Sequence, residues 1–174
     1  VRGFSARPRG TQLVLLGDYD AANDPYHATV RAAASDEVVF AGAIYDKAVV
    51  QALRFHGLAY AHGHTVGGTN PSLVEAMAAS NPVIAHDNAY NRWVARDAAL
   101  YFDSAESFSA RLDELLASPE LRARLKRASA ARYAQEFTWE HVAGQYEQLL
   151  LRFLPAGGQD AAAATNDMKD RREP

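Results

Sequence analysis

The chain has 174 residues, of which 48% are hydrophobic and 22% are charged, and its formal net charge is −3. These values fit one globular domain with a substantial core, and they give no electrostatic reason to expect nucleic acid as a partner. The sequence has no cysteine, which excludes disulfides, thiolate catalysis and zinc–thiolate sites. No apolar run is long enough to span a bilayer. Because the first residue is Val1 rather than Met, we expect the chain to belong to a longer protein.

Short apolar runs alternate with helical patterns over the first hundred residues. Strands are predicted at residues 12–16, 38–41, 57–61, 82–85 and 100–102, the last at a sheet edge. Helices are predicted between them at residues 25–34, 46–55, 71–79 and 91–96. Short, continuous strands separated by helices are typical of a parallel sheet covered on both faces. The pattern therefore predicts an α/β fold, a doubly wound parallel sheet of the Rossmann-like type.

The pattern changes to helices alone after residue 103. Three C-terminal helices are predicted at residues 104–117, 119–137 and 139–154. From Pro155 onward, glycine, alanine and mixed charges are typical of a flexible tail. We therefore expect residues 1–154 to form one domain and residues 155–174 to form a tail.

The predicted strand ends carry glycine and polar residues. Ligands of open α/β sheets bind outside the carboxyl ends of the strands. We therefore expect one cleft lined by residues 17–19, 42–45, 62–70 and 86–88. A GxGxxG motif with a later acidic residue is absent, which disfavours nicotinamide and flavin cofactors. A GxxxxGK[ST] motif is also absent, which excludes P-loop kinases and ATPases.

The most informative segment, residues 62–77, passes from a predicted strand through a glycine turn into a helix. Gly67 and Gly68 let the backbone approach a ligand closely, and the amides of a helix start favour negative charge. A cap at Asn70 with Pro71 at the first helical position would explain the helix alone. It would not explain two preceding glycines and Thr69. The segment therefore predicts a cradle for the diphosphate and sugar of an activated donor.

Glu75 has two interpretations. Ser72 to Glu75 matches a capping box, in which the acid only ties back to the helix start. If Asn70 is the cap, Glu75 lies deeper in the helix and projects toward the cleft. The spacing alone does not separate these two roles.

Three histidines lie near predicted strand ends: His62, His64 and His86. Three histidines could bind zinc. No carboxylate or fourth ligand is placed beside them, so we favour polar groups that face a ligand or form hydrogen bonds. No metal is expected.

The segment from Gly67 to Met77, followed by the PVIAHD sequence at residues 82–87, resembles a signature region of the retaining GT-B glycosyltransferases of family 4. Their donor-binding C-terminal domain has a glycine loop, a helix with a glutamate and a P-V-[IV]-A strand. The variants GGTNPSLVEA, GAIYDK at residues 42–47 and HDNAYNR at residues 86–92 resemble one subgroup. That subgroup includes bacterial rhamnosyltransferases of surface polysaccharide synthesis. The likeness covers about residues 1–150.

The resemblance implies roles for individual residues. Glu75 matches a glutamate that contacts the nucleotide ribose. Gly67 occupies the position of a second glutamate that touches the donor hexose, a loss that a deoxy sugar such as rhamnose would tolerate. The other implied substrate-binding residues are Gly68, Thr69, Asn70, Pro71 and Ser72 at the diphosphate and Gly42 and Ile44 near the base, with His64 predicted at the same edge.

The combined prediction is the donor-binding half of a GT-B glycosyltransferase. It would move a hexose, with rhamnose as the candidate, from a nucleoside-diphosphate sugar to a saccharide or lipid-linked acceptor in surface polysaccharide synthesis. No cofactor is expected, because the nucleotide sugar is a substrate and the helix amides would stabilise the departing diphosphate without a metal. A nucleotide-sugar epimerase and a non-catalytic binding or scaffold domain of the same fold remain as alternatives.

The resemblance also implies parts that this sequence lacks. The family's domain begins with one further strand and a basic loop, and an acceptor-binding N-terminal domain precedes it. The fragment alone should therefore bind the donor weakly and should not turn over. The implied location is cytoplasmic. A peripheral contact with the inner face of a bacterial membrane, made through the acceptor, is an open alternative. No nucleic-acid partner is expected.

Overall fold

The fold has five short β-strands and seven α-helices within residues 1–153, which are the residues that the computed structural model describes. The strands are β1 (Leu13–Leu15), β2 (Val38–Phe40), β3 (Tyr60–His62), β4 (Val83–His86) and β5 (Ala99–Phe102). The helices are α1 (Pro25–Ala32), α2 (Lys47–His56), α3 (Pro71–Ala78), α4 (Ala89–Ala95), α5 (Ala105–Ala117), α6 (Pro119–Glu136) and α7 (Trp139–Leu151). A short 3-10 turn, Arg96–Ala98, precedes β5.

All strand pairs are parallel, and the strands form two sheets. β1 pairs with β2 in the first sheet, with Leu13 opposite Val38. β4 lies between β3 and β5 in the second, with Ile84 opposite both Ala61 and Leu100. The predicted Rossmann-like α/β fold is therefore confirmed, and β5 lies at a sheet edge. The described strands do not form one continuous sheet, because none of them pairs with the second edge of β1 or of β3.

Polar side chains explain where the helices begin. Asp24 and Asp46 each accept two backbone N–H bonds in the first turns of α1 and α2. Asn70 and Asn88 each accept one at the starts of α3 and α4, and Ser104 caps α5. These caps satisfy amides that have no partner within the helix. All five of these capped helices follow the carboxyl end of a strand, which is the edge where the sequence predicts the site.

The core is built around β4, the central strand of the second sheet. Val83, Ile84 and Ala85 are almost completely buried, and α3 adds Leu73 and Met77, which have no exposed surface. Full burial of aliphatic side chains of this size contributes about 1.5–3 kcal/mol each. Four residues from outside the sheet form a cluster with Ile84: Phe4, Leu112, Leu115 and Leu125. The core thus holds β4 and α3 firmly beside the predicted site.

The boundary between α2 and β3 differs from the prediction. Gly57 was expected to start a strand, but its N–H donates to the carbonyl oxygen of Arg54, so Gly57 ends α2. β3 begins at Tyr60 and includes His62, which the sequence placed beyond the strand. The strand is therefore displaced by several residues at its start and by one residue at its end.

The chain divides into two compact units, residues 1–133 and the residues from 134 onward. The first unit contains both sheets and α1 to α5. In the second, Thr138 caps α7 by accepting a hydrogen bond from the N–H of His141 at 3.2 Å. None of the helices that the structure describes has the length and apolar character that crossing a membrane requires. The predicted domain limit at residue 154 and the predicted tail lie outside the described residues.

Candidate functional site

The carboxyl ends of β3 and β4 are fastened together at one edge of the second sheet. Asn91 of α4 is 3% exposed, and its Nδ2 donates to the carbonyl oxygens of His64 at 3.0 Å and His86 at 2.9 Å. The Nδ2 of Asn88 also donates to the His64 carbonyl oxygen, at 3.0 Å. The loop that leaves β3 is therefore fixed at its base, whereas residues 65–69 are exposed.

His62 and His64 form a stacked pair whose ring centroids lie 4.7 Å apart. His62 is 1% exposed, and its ring nitrogens form no hydrogen bond of normal geometry within residues 1–153, although the Asn91 side chain lies close enough to oppose the lowering of its pKa. Burial, and to a smaller extent the neighbouring His64, lowers the pKa of His62 to about 4. A neutral buried ring thus supports the exposed ring of His64.

The loop between β3 and α3 has a bare backbone. Gly67 has φ +123°, a conformation that favours glycine. A Cβ atom added at Gly67 or Gly68 would meet nothing within 4 Å. The N–H groups of Gly67, Gly68 and Thr69 donate to no acceptor in the part of the chain that the structure describes. Such consecutive free amides are suitable donors to phosphate oxygens.

The first turn of α3 differs from what the resemblance implied. Asn70 is the cap, and its Oδ1 accepts a hydrogen bond from the N–H of Ser72 at 3.0 Å. Pro71 has no N–H, and the N–H of Leu73 donates to the Asn70 carbonyl oxygen at 3.1 Å. The free donors therefore lie in the loop before α3, and the amide expected from Ser72 is already used by the cap.

Glu75 lies in the second turn of α3 and pairs with α2. Because Asn70 is the cap, the capping-box interpretation of Ser72 and Glu75 is wrong. The Oε2 atom of Glu75 lies 2.7 Å from a guanidinium nitrogen of Arg54, and the Glu75 side chain is 46% exposed. Tyr60 lies close to both, and burial raises the pKa of its hydroxyl. A contact between Glu75 and a ligand stays a prediction.

Gly42 and Ile44 lie at the end of β2, in the first sheet. Gly42 has φ +74°, and its carbonyl oxygen accepts a hydrogen bond from the N–H of Gly17 at 2.9 Å, which joins the ends of β1 and β2. No hydrogen bond, ion pair or ring contact among residues 1–153 links these ends to residues 62–70. The end of β1 is thus joined to the end of β2, and the end of β3 to the end of β4. The single cleft stays a prediction.

The end of β4 carries an ion pair beside His86. Asp87 Oδ2 accepts a hydrogen bond from Arg92 at 2.7 Å, which lowers the pKa of the Asp87 carboxyl group. The Arg92 guanidinium lies 4.4 Å from the centroid of the Tyr101 ring. Within the described residues, no group of three or more His, Cys, Asp or Glu side chains could hold a metal ion. The three histidines therefore do not form the zinc site considered from the sequence.

Comparison with known proteins places this arrangement in a family. Residues 7–132, more than half of the chain, match the model of the family described as "Glycosyl transferases group 1". The chain belongs to this family. The match covers both sheets and the glycine loop, and it begins and ends inside the range expected from the sequence. The rhamnosyltransferase subgroup is a finer assignment than the family match supports.

Solved structures share the fold of this group 1 domain. HepE of Anabaena, crystallised in complex with UDP, is 16% identical and has a TM-score of 0.71 over 85% of this chain and 43% of that one. Its complex with UDP-glucose gives a TM-score of 0.73 with the same identity and coverage. Sucrose-phosphate synthase from Thermosynechococcus elongatus is 21% identical, with a TM-score of 0.70 over 86% of this chain and 40% of that one. The chain thus spans about two fifths of the length of these proteins. No curated protein matches it.

Two residues of the group 1 domain were missed by the sequence analysis. Arg54 was not singled out within the helix predicted at residues 46–55, although its charged end pairs with Glu75. Asn91 was placed at the start of a helix that in fact begins at Ala89, and it is the buried link between the two strand ends. A buried polar side chain near a strand end is a usable signal, but burial is not readable from one sequence.

Proposed function

We propose that this domain binds the nucleoside-diphosphate sugar donor of a glycosyltransferase. The observation that carries the proposal is the free-amide loop, residues 67–69, between β3 and α3. Its amides have no acceptor among the described residues, its glycines leave open space, and it leads directly into a helix N-terminus. Amides in this arrangement favour the oxygens of a diphosphate. The UDP and UDP-glucose complexes of HepE, a protein of the same fold, are consistent with such a ligand.

The chemistry proposed for this site is stabilisation of a leaving group. The bond between the anomeric carbon and the diphosphate oxygen breaks, the hydroxyl oxygen of the acceptor bonds to that carbon, and the hydroxyl proton passes to the departing diphosphate. Negative charge then grows on the diphosphate, where the loop amides and the positive end of α3 oppose it. In this proposal the described residues stabilise the departing diphosphate through fixed dipoles and do not hold a metal.

The donor sugar is proposed to be a hexose, with rhamnose as the candidate. Gly67 has no side chain at the position where the resembling family carries a glutamate that touches the hexose. A deoxy sugar offers fewer hydroxyls and would depend less on that contact. An enzyme that consumed UDP-glucose and ignored dTDP-rhamnose would contradict the rhamnose proposal while leaving donor binding intact.

We also propose that the complete enzyme is larger than this domain. An acceptor-binding domain would complete the site, and one further strand would pair with both β1 and β3. In a doubly wound sheet of order 3-2-1-4-5-6, the first strand lies between the second and the fourth. The unpaired edges of β1 and β3 fit that position, as does the 42% exposure of Val14 in β1. The proposed place of work is the cytoplasm, at the inner face of a bacterial membrane when the acceptor is lipid-linked, in surface polysaccharide synthesis.

The direct test is calorimetric titration of the native-length protein with UDP and with dTDP. The informative variant is Gly68→Ala, because the added methyl group meets open space and the φ angle of Gly68 is not positive. We expect unchanged stability but about tenfold weaker binding, since the methyl group would occupy the space of the diphosphate. The matched control is Gly144→Ala in α7, which also meets open space and should bind as the wild type does.

Each contrary result has a distinct meaning. Failure of the wild type to bind either diphosphate would favour a scaffold domain. Equal affinity of wild type and Gly68→Ala would place the diphosphate elsewhere. Release of an altered nucleotide sugar without any acceptor would favour an epimerase.

A further inference from the structure

An ion pair connects the last turn of α2 with the second turn of α3. Arg54 is 15% exposed in its side chain and Glu75 is 46% exposed, and their closest charged atoms lie 2.7 Å apart. Oε2 of Glu75 makes the closest approach to the guanidinium. The carboxylate is thus paired with a mostly buried cation and is itself partly exposed.

Buried hydrogen bonds fix the main chain of Arg54. Nδ2 of Asn81 donates to the Arg54 carbonyl oxygen at 2.6 Å, and Asn81 is 1% exposed. The Asn81 carbonyl oxygen in turn accepts a hydrogen bond from the hydroxyl of Ser129 in α6 at 2.7 Å. Because the polar groups in this series of hydrogen bonds are buried and paired, the end of α2 has little freedom to move. The base of the Arg54 side chain therefore has a defined position.

We propose that Arg54 is a positioning residue that orients the Glu75 carboxylate toward the ribose hydroxyls of the bound nucleoside diphosphate. This inference rests on the proposed function. A carboxylate has two oxygens with several acceptor positions, so Glu75 can pair with Arg54 and still accept a hydrogen bond from a hydroxyl group. A carboxylate that is already oriented loses less side-chain freedom when the ligand binds, so the same contact gives a higher affinity.

The ion pair alone contributes little to stability, because Glu75 is half exposed and exposed pairs are screened by water. Removal of Arg54 should therefore leave the melting temperature nearly unchanged. A lower affinity for ligands that carry ribose hydroxyls would then report orientation of Glu75 rather than loss of folding.

The experiment compares each diphosphate with its analogue that lacks the ribose hydroxyls. The ligands are UDP, which has the 2′- and 3′-hydroxyls, dTDP, which has the 3′-hydroxyl alone, and the analogues of both that lack these hydroxyls. Each is titrated calorimetrically into the native-length wild type and the variants Arg54→Ala, Arg54→Lys, Glu75→Ala and the double alanine variant. The control is Arg111→Ala, which breaks an exposed ion pair of the same kind with Glu114 at 3.0 Å in α5.

We expect Arg54→Ala to lower the affinity for the diphosphate that carries the sugar hydroxyls about fivefold. The affinity for the analogue without them should not change. Arg54→Lys should recover part of the loss, because it keeps a cation beside Glu75. The double variant should bind no more weakly than Glu75→Ala, since Arg54 acts only through that carboxylate. Arg111→Ala should match the wild type.

Two results would overturn this inference and leave donor binding intact. In the first, Arg54→Ala loses the same affinity for both ligands. In the second, Arg54→Ala loses no affinity although Glu75→Ala binds more weakly. Absence of binding of either diphosphate to the wild type would overturn the proposed function itself, and this inference with it.

Discussion

At the scale of single residues, His62 makes folding sensitive to acid. Its pKa is lowered from the usual 6.5 to about 4 by burial, with a smaller contribution from His64. As the pH falls below 6.5, His62 binds a proton in the unfolded chain but stays neutral in the folded one. The free energy of unfolding therefore decreases until the pH reaches about 4. This loss amounts to at most about 3 kcal/mol.

The variant His62→Leu should remove that part of the acid sensitivity. Since the ring nitrogens form no hydrogen bond of normal geometry among the described residues, the variant should be about as stable as the wild type at neutral pH. Denaturant unfolding measured across this pH range gives the comparison. The control is Gly144→Ala, which meets open space, changes no ionisable group and should keep the slope of the wild type. An unchanged slope in His62→Leu would show that His62 does not set the acid sensitivity.

The residue scale also shows what the sequence could not provide. The hydrogen bond from the N–H of Ser72 to Asn70 excluded the capping-box interpretation of Glu75, whereas its projection toward the cleft stays a prediction. The partner of Glu75 was beyond prediction, because Arg54 is 21 positions earlier and meets it only through the packing of α2 beside α3. Pairing at such a separation is set by tertiary structure and leaves no local pattern.

At the scale of secondary-structure elements, the side chain of Asn91 in α4 links the ends of β3 and β4 by hydrogen bonds. Replacement by alanine would remove a donor to the partly buried carbonyl oxygen of His86 and one of the two side-chain donors to the His64 carbonyl oxygen. We expect Asn91→Ala to lower the free energy of unfolding by about 1–3 kcal/mol. Hydrogen exchange should also become faster in residues 63–70. The exposed Asn23 of the turn before α1 provides the control, because Asn23→Ala should change neither quantity.

The helices were predicted better than the strand limits. Asp24 before Pro25, Asn70 before Pro71 and Thr138 before Trp139 are local signals, and each marks a helix start in the structure. β3 was misplaced because Gly57 and the apolar residues after it read equally well as a strand start or as a helix end. Which of the two forms depends on the hydrogen bond from Gly57 to Arg54.

At the scale of the whole molecule, the division into two sheets supports the proposal that residues 1–174 alone bind the donor weakly. The alternation of strands and helices was sufficient to predict parallel pairing, but the missing contact between β1 and β3 was not visible in any local pattern. We predict that the native-length protein binds UDP at least about tenfold more tightly than the 174-residue chain, because the further strand and basic loop would complete the site. Titration calorimetry of both forms measures this, and equal affinities would show that residues 1–174 already contain the whole donor site.

An NMR titration of the native-length protein with UDP, followed through its backbone amides, tests whether the loop before α3 holds the diphosphate. We expect the largest changes on binding at Gly67, Gly68 and Thr69, whose N–H groups donate to no acceptor among the described residues. Saturable binding of UDP that leaves these three amides unchanged would contradict the claim that this loop holds the diphosphate.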